Sequence, residues 1–354
     1  MKKADEELYV NVYDKSYSKE GVWLHIFLGG RGTGKTYGAL KGAWRMAEED
    51  GEQFILLRRT DEERKLAELF NPFTQINAKE KTSAITKAIG KKVTGFYEGV
   101  PGEDGETEAS GAPLGYMLAL STLGSIRGLG FDESKLKRLI YDEFIPEAHV
   151  RLLKMEGAAF LNAFETLNRN REFDGLPPIE CYLLANSNDI YNPLFLSLGL
   201  VSVVEKMIRK GKKDFFDEER GLAIHLLENS KFSEKKKQTS IARLTEGSEF
   251  YGMAYENEFA YNDFSSIGHK DLKGYFPAYA VGDAHVWEKK GETRVYVSYK
   301  DGSFAYRYDP KSQPDQMLGR SRHALRFRKL YASGAITFES YELKRVLLDF
   351  FAIK

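Results

Sequence analysis

The sequence holds one cysteine, Cys181, in 354 residues. No internal disulfide can form, so the fold must rest on its apolar cores, and the thiol reads as a small core residue in a strand. Net charge is missing too: fifty-two basic residues balance fifty-two acidic ones. The whole-molecule field therefore attracts no polyanion, and any contact with nucleic acid has to come from local clusters. No apolar run is long enough to span a bilayer, and residues 1–7 are charged rather than of signal-peptide kind. That pattern predicts a soluble, intracellular protein with no membrane partner. Repeats of fixed period and low-complexity tracts are absent as well, which excludes solenoids. What is present is core material, 42% hydrophobic and 13% aromatic residues. At a prior of about 150 residues per domain, it fills two domains.

One stretch organises the rest. Gly29, Gly30, Arg31, Gly32, Thr33, Gly34, Lys35 and Thr36 spell a phosphate-binding P-loop. Glycines let the backbone curl so that its N–H groups point at phosphate oxygens, and the helix that follows adds the positive end of its dipole. Lys35 is expected on the β and γ phosphates of ATP, and Thr36 on Mg²⁺. The context agrees. Residues 23–28 read as a buried strand entering the loop, and residues 35–49 as a helix with Leu40, Ala43, Trp44 and Ala47 at helical spacing. A second apolar strand, 54–57, ends in Arg58 and Arg59, so the chain opens as a βαβ unit of a mainly parallel sheet. Those arginines stand where open α/β sheets bind ligands, or form an ordinary solvated edge. Ahead of the P-loop, Tyr9, Tyr13 and Tyr17 offer a ring for stacking on adenine, or plain surface packing.

The second motif is Leu139-Ile140-Tyr141-Asp142-Glu143, an apolar strand ending in two acids. In a P-loop enzyme this is Walker B, with Asp142 holding Mg²⁺ and Glu143 polarising the attacking water. Between the motifs the pattern predicts a helix over 61–69 and an antiparallel pair, 93–97 with 116–120, around a mobile tip at 99–115. A glycine-rich link over 121–130 follows, in which Arg127 reaches a phosphate or is simply exposed. Residues 151–168 are amphipathic, with Leu152, Met155, Ala159, Phe160, Ala163, Phe164 and Leu167 on one side. That helix is expected to end at the surface in Arg169 and Arg171. Each completes the helix dipole or acts as a finger on a neighbouring subunit's γ-phosphate. Strand 179–185 ends in Asn186, an amide that orients the lytic water or makes a turn. Strand 221–227 comes last in this domain, and Lys235, Lys236 and Lys237 form a linker or a phosphate-facing strip. Beyond it, 275–280, 293–299 and 303–308 read as strands, Asp301-Gly302 as a hairpin turn between the last two, and 340–351 as a closing helix. This α+β part carries a basic cluster of Arg320, Arg322, Arg326, Arg328 and Lys329. The expected boundaries are a P-loop ATPase domain over 1–232, a linker over 233–256 and a second domain over 257–354.

With these pieces in place, the chain resembles the DNA-packaging ATPases of phi-twenty-nine-type tailed phages, relatives of the terminase large subunits. The resemblance rests on the P-loop and on residues 53–59, 141–145, 168–172, 184–187 and 243–252, the last similar to the stretch that joins two domains in that family. It implies an α/β P-loop NTPase domain of ASCE type, followed by a smaller ribonuclease-H-like α+β domain that has lost its catalytic acids. Asp283, Asp301 and Asp309 are scattered, and the latter two suit turns better than a two-metal site. It implies a homo-oligomeric ring, usually pentameric, that uses ATP and Mg²⁺ to drive double-stranded DNA through a procapsid portal, with or without a scaffold RNA. The expected location is the host cytoplasm, transiently at the portal vertex. It places Lys35, Thr36, Asp142 and Glu143 in the roles derived above and favours the finger reading, Arg169 first and Arg171 second. The chain departs from the family at Thr60-Asp61-Glu62, where relatives carry a basic residue after the paired arginines. Other readings are a motor with an active metal-dependent nuclease, another P-loop translocase or helicase, and a nucleotide-binding structural module.

Overall fold

The computed structural model describes residues 9–103, 105–124, 131–147, 150, 152–153, 155–228, 230–255 and 262–353. Two compact units emerge, residues 1–198 with 207–261, and residues 199–206 with 262–354.

In the larger unit a strap leads to β1 (Leu24–Gly29), α1 (Lys35–Asp50), β2 (Gln53–Arg58), α2 (Asp61–Phe70), α3 (Thr74–Glu80), β3 (Ala84–Ala88), β4 (Thr94–Pro101) and β5 (Thr107–Ala119). Then come α4 (Leu120–Leu123), β6 (Leu136–Asp142), α5 (Glu156–Asn168), β7 (Glu180–Asn186), α6 (Pro193–Leu198), α7 (Val201–Lys210), whose residues up to 206 group with the smaller unit, β8 (Asp214–Asp217) and β9 (Leu222–Leu226). Among the described residues these strands form one nine-stranded sheet of order β3-β4-β5-β2-β6-β7-β1-β9-β8. Pairing is parallel from β5 through to β9 and antiparallel at both edges. Every residue of β1 is buried. Near-continuous apolar runs are what a parallel sheet covered on both faces requires. Cys181 lies in β7, fully buried. Helix α1 turns Leu40, Ala43, Trp44 and Ala47 inward, and the Trp44 ring meets Phe73 at 5.1 Å. Its outer face carries two glycines for a different reason. A Cβ at Gly38 would stand 1.9 Å from the Val10 carbonyl oxygen, and one at Gly42 would stand 2.4 Å from the Tyr13 ring. The strap thus lies directly on the helix backbone, fastened by a Tyr13 hydroxyl that donates to the Ala39 carbonyl at 2.9 Å.

Several expectations need correction. The tip expected over 99–115 is largely strand, because β4 and β5 run on as a long hairpin whose outer half pairs Glu98 with Ser110 and Pro101 with Thr107. The helix expected from 151 starts at Glu156, with Met155 before it at φ 53; Leu152 and Met155 are exposed rather than on a buried face. Arg127 lies outside the described residues. The stretch read as a linker is folded into α8 (Lys231–Lys236), α9 (Ser240–Thr245) and α10 (Glu249–Tyr255), which cluster with the larger unit.

The smaller unit contains β10 (Tyr275–Val281), β11 (Ala284–Lys289), β12 (Val295–Ser298), β13 (Arg307–Tyr308), α11 (Gln313–Ala332), β14 (Ile336–Phe338) and α12 (Tyr341–Phe350). Strands β10, β11 and β12 form an antiparallel meander, with β13 parallel on one edge and β14 parallel on the other. Asp301-Gly302 makes no hairpin. A Cβ at Gly302 would meet the Trp287 ring at 2.6 Å, and Asp301 accepts from Arg307 at 2.6 Å. These contacts fold the chain into a compact loop that carries β13 to the far edge, beside β10. No helix among the described residues is long and apolar enough to cross a membrane.

Candidate nucleotide site

The site is assembled by register. Strand β7 lies between β6 and β1, pairing Asp142 with Leu184 on one side and Gly29 with Asn186 on the other. The P-loop and the Asp-Glu pair therefore leave the same sheet edge with one strand between them, and the Thr36 hydroxyl donates to Asp142 Oδ1 at 2.8 Å. Gly32 and Gly34 stand at φ 87 and 86, a backbone that side-chain-bearing residues resist. The result is a cleft of about 470 Å³ lined by P-loop residues together with Asp142, Glu143, Glu147, Asn186 and Lys236.

Lys35 is buried here. Its Nζ donates to the Gly29 and Gly30 carbonyls at 2.9 and 3.1 Å, to Thr33 Oγ1 at 3.2 Å and to Asn186 Oδ1 at 3.4 Å. Burial pulls its pKa down to about 8, against the attraction of Asp142 and Glu143. A buried ammonium surrounded by neutral oxygens is a site for an anion, since charge is costly to bury without a partner. Thr36 and Asp142 put hard oxygen donors side by side, the set Mg²⁺ prefers. The residues present thus fit a magnesium-bound nucleoside phosphate. At the acids, Arg58 NH1 lies 3.0 Å from Asp142 Oδ2 and 3.6 Å from a Glu143 oxygen. The cleft walls and the Asp142 charge raise the Glu143 carboxyl above the usual range, and Arg58 works against them. Arg31 pairs with Glu147 at the rim.

The paired arginines part company where β2 ends at Arg58. Arg58 faces the acids of the cleft. Arg59 is buried in the scaffold, its Nε 2.6 Å from Glu156 Oε1 and its NH2 2.9 Å from Oε2, with the Tyr141 hydroxyl donating to the same carboxylate at 3.2 Å. The tyrosines of the strap also separate. Tyr9 stacks on Tyr37 at 4.3 Å beside the P-loop, whereas Tyr13 packs edge-on against Tyr182 and Tyr17 against Phe27.

Arg169 ends α5 exposed, at φ 38, with Nε donating to the Thr166 carbonyl at 3.0 Å. Arg171 does not stand on the surface as expected. It is 1% exposed, its Nε donates to the Pro177 carbonyl at 3.1 Å and its NH1 to the Glu133 carbonyl. Those bonds staple the turn between α5 and β7. Helix α5 follows β6 and returns the chain to the start of β7, so its last residues lie at the sheet edge away from the P-loop. A helix of 13 residues covers about 20 Å. The turn bearing Arg169 therefore lies at the other end of the strands from the cleft of its own chain.

Of the basic cluster, Arg320 and Arg328 donate to the carbonyls of Phe350 and Phe351, and Arg326 pairs with Glu288. Among the described residues no group of three or more His, Cys, Asp or Glu side chains is placed to hold a metal ion. Glu147 lies on the cleft without a motif to announce it, whereas Lys236 comes from the basic run read as a linker or a phosphate-facing strip, and of those two readings its place on the cleft fits the second.

A mainly parallel sheet with the P-loop and the Asp-Glu strand on either side of one intervening strand defines an α/β P-loop ATPase domain, here with a smaller mixed-sheet domain. The family described as Podovirus DNA encapsidation protein (Gp16) matches residues 4–353, and the chain belongs to it. The DNA packaging protein of Bacillus phage B103 is 29% identical over 240 residues, 67% of this chain and 64% of that one. That of Bacillus phage phi29 is 25% identical over 359 residues, 98% of each. A chain of the bacteriophage Phi-29 viral genome packaging motor assembly has a similar fold, with a TM-score of 0.68 at 22% identity over 98% of this chain and 99% of that one. Packaging, rather than an unrelated helicase activity, is the function to which this membership points.

Proposed function

We propose that this chain is the ATP-hydrolysing subunit of a phage DNA-packaging motor. It works as a homo-oligomeric ring, pentameric by the resemblance stated above, in the host cytoplasm and transiently at the procapsid portal. The observation that carries the reading is the 2.8 Å bond from Thr36 to Asp142 beside the buried Lys35. Lys35 and the inward-turned N–H groups of the P-loop bind the phosphates, and Thr36 with Asp142 holds the metal. A magnesium ion held there would supply charge neutralisation at the terminal phosphates. Glu143 takes a proton from the attacking water, Asn186 orients that water, and Arg169 serves a neighbouring subunit's cleft, since its turn lies at the other end of the strands from its own. Grip on double-stranded DNA comes from local lysines and arginines on its phosphates and is therefore independent of base sequence.

Purified procapsids, DNA and ATP supply the test. Glu143→Gln is expected to bind ATP and package nothing, and Arg169→Ala to lower packaging and ATP turnover by at least 10³-fold, the effect of removing such a finger elsewhere (about 10³–10⁵). Packaging at the wild-type rate by Glu143→Gln sinks the proposal.

A further inference from the structure

Helix α8 lies against the P-loop. The Ser230 hydroxyl donates to the Gly32 carbonyl at 3.4 Å, and a Cβ built on Gly32 would stand 2.6 Å from Lys236 Cδ and 2.9 Å from its Nζ. The Lys236 stem thus covers the open face of Gly32 and brings its ammonium to the phosphate cleft. One turn earlier, Phe232 meets Tyr9 at 5.0 Å, and Tyr9 stacks on Tyr37 at 4.3 Å. That row of rings fastens α8 to the strap and to α1. The Lys236 ammonium is 5.3 Å from the Phe232 ring centre and makes no ion pair among the described residues. Arg31, by contrast, is paired with Glu147. Two lysines, neither in an ion pair among the described residues, therefore face one cleft, where they repel each other until an anion comes between them.

We propose that Lys236 is a second phosphate-binding lysine, contacting the β,γ end of ATP from the side of Gly32, so that bound triphosphate pins the α8–α10 segment to the P-loop. The proposal rests on the nucleotide reading of the cleft. It gives the segment read from sequence as a linker a direct sense of whether the terminal phosphate is present. This segment precedes the longer of the two stretches, 199–206 and 262–354, that make up the smaller unit.

The test uses the full chain and two readouts that need no turnover: equilibrium binding of ATPγS and of ADP, and hydrogen exchange over residues 231–255 with and without ATPγS. Lys236→Ala is expected to weaken ATPγS binding about tenfold, the size of one charge-assisted hydrogen bond. ADP binding should change less, and the ATPγS-induced protection of 231–255 should be lost. Lys236→Arg should restore both, and Lys235→Ala, on the exposed side, should match the wild type. Wild-type affinity and wild-type protection in both Lys236→Ala and Lys236→Gln overturn the proposal. Lys35→Ala separates the levels. If it abolishes ATPγS binding while the Lys236 variants do not, the nucleotide site stands and Lys236 has no part in it. If the wild type binds no nucleotide, the reading of the cleft itself fails.

Discussion

His25 on β1 and His225 on β9 lie 6.1 Å apart between ring centres, beneath Tyr17 of the strap. Burial, then the His225 charge, pulls the His25 pKa down to about 4, against hydrogen bonds to the Tyr17 and Val22 backbone; His225 is lowered too, chiefly by burial and in spite of Asp214 at 2.8 Å. Because both bases are easier to protonate in the unfolded chain, their contribution is complete above the unfolded value of about 6.5 and is lost as pH falls toward the folded one. Stability in urea should therefore fall from pH 7 to pH 5, by at most about 1.4 kcal/mol per unit for each ring, and His25→Phe should flatten the slope. An unchanged slope in that variant rules His25 out as a source. Legibility at this scale follows chemistry. That Lys35, Thr36, Asp142 and Glu143 line one cleft could be expected from sequence, because phosphate binding dictates the residue types and spacing of the P-loop and an apolar strand ending in two acids belongs to the same sheet. Arg171 was not, because its burial depends on carbonyls at Glu133 and Pro177 that no local pattern reveals.

The Arg59–Glu156 pair is a device of a larger size, tying the end of β2 to the start of α5, with Tyr141 of β6 on the same carboxylate. Arg59→Met should cost about 3–5 kcal/mol, since it strands a buried carboxylate, and adding Glu156→Met should recover most of that loss. Urea midpoints of the two variants decide the matter; equal midpoints mean the cost is lost packing, not stranded charge. Among elements, the parallel strands and α1 stood out because each is buried along a full face and reads as an apolar run or a helical stripe. The outer half of the β4–β5 hairpin did not, because its pairing joins exposed residues such as Glu98 and Thr107 that look like loop. Helix α11 escaped for a related reason. Met317 and Leu325 are exposed on it while Gly319 is buried, so no apolar stripe marks its inner face.

At the scale of the whole molecule, the P-loop and the turn bearing Arg169 lie at opposite ends of the neighbouring strands β1 and β7, and the head-to-tail ring proposed above would bring one subunit's turn to the next one's cleft. A site composed of Glu143 from one subunit and Arg169 from its neighbour can then be rebuilt from two defective chains. Mixing Glu143→Gln with Arg169→Ala subunits should give more ATP turnover than either alone, because some interfaces join the intact halves. Turnover no higher than the mean of the separate variants tells against shared sites. The strap offers a different kind of consequence. Glycines inside a helix each lose about 1 kcal/mol against alanine, yet α1 keeps two where Val10 and Tyr13 press on its backbone. Across related phages the two traits should be inherited together: lineages that retain the leading segment should keep glycine at both places, and any that shed it should drift toward alanine there.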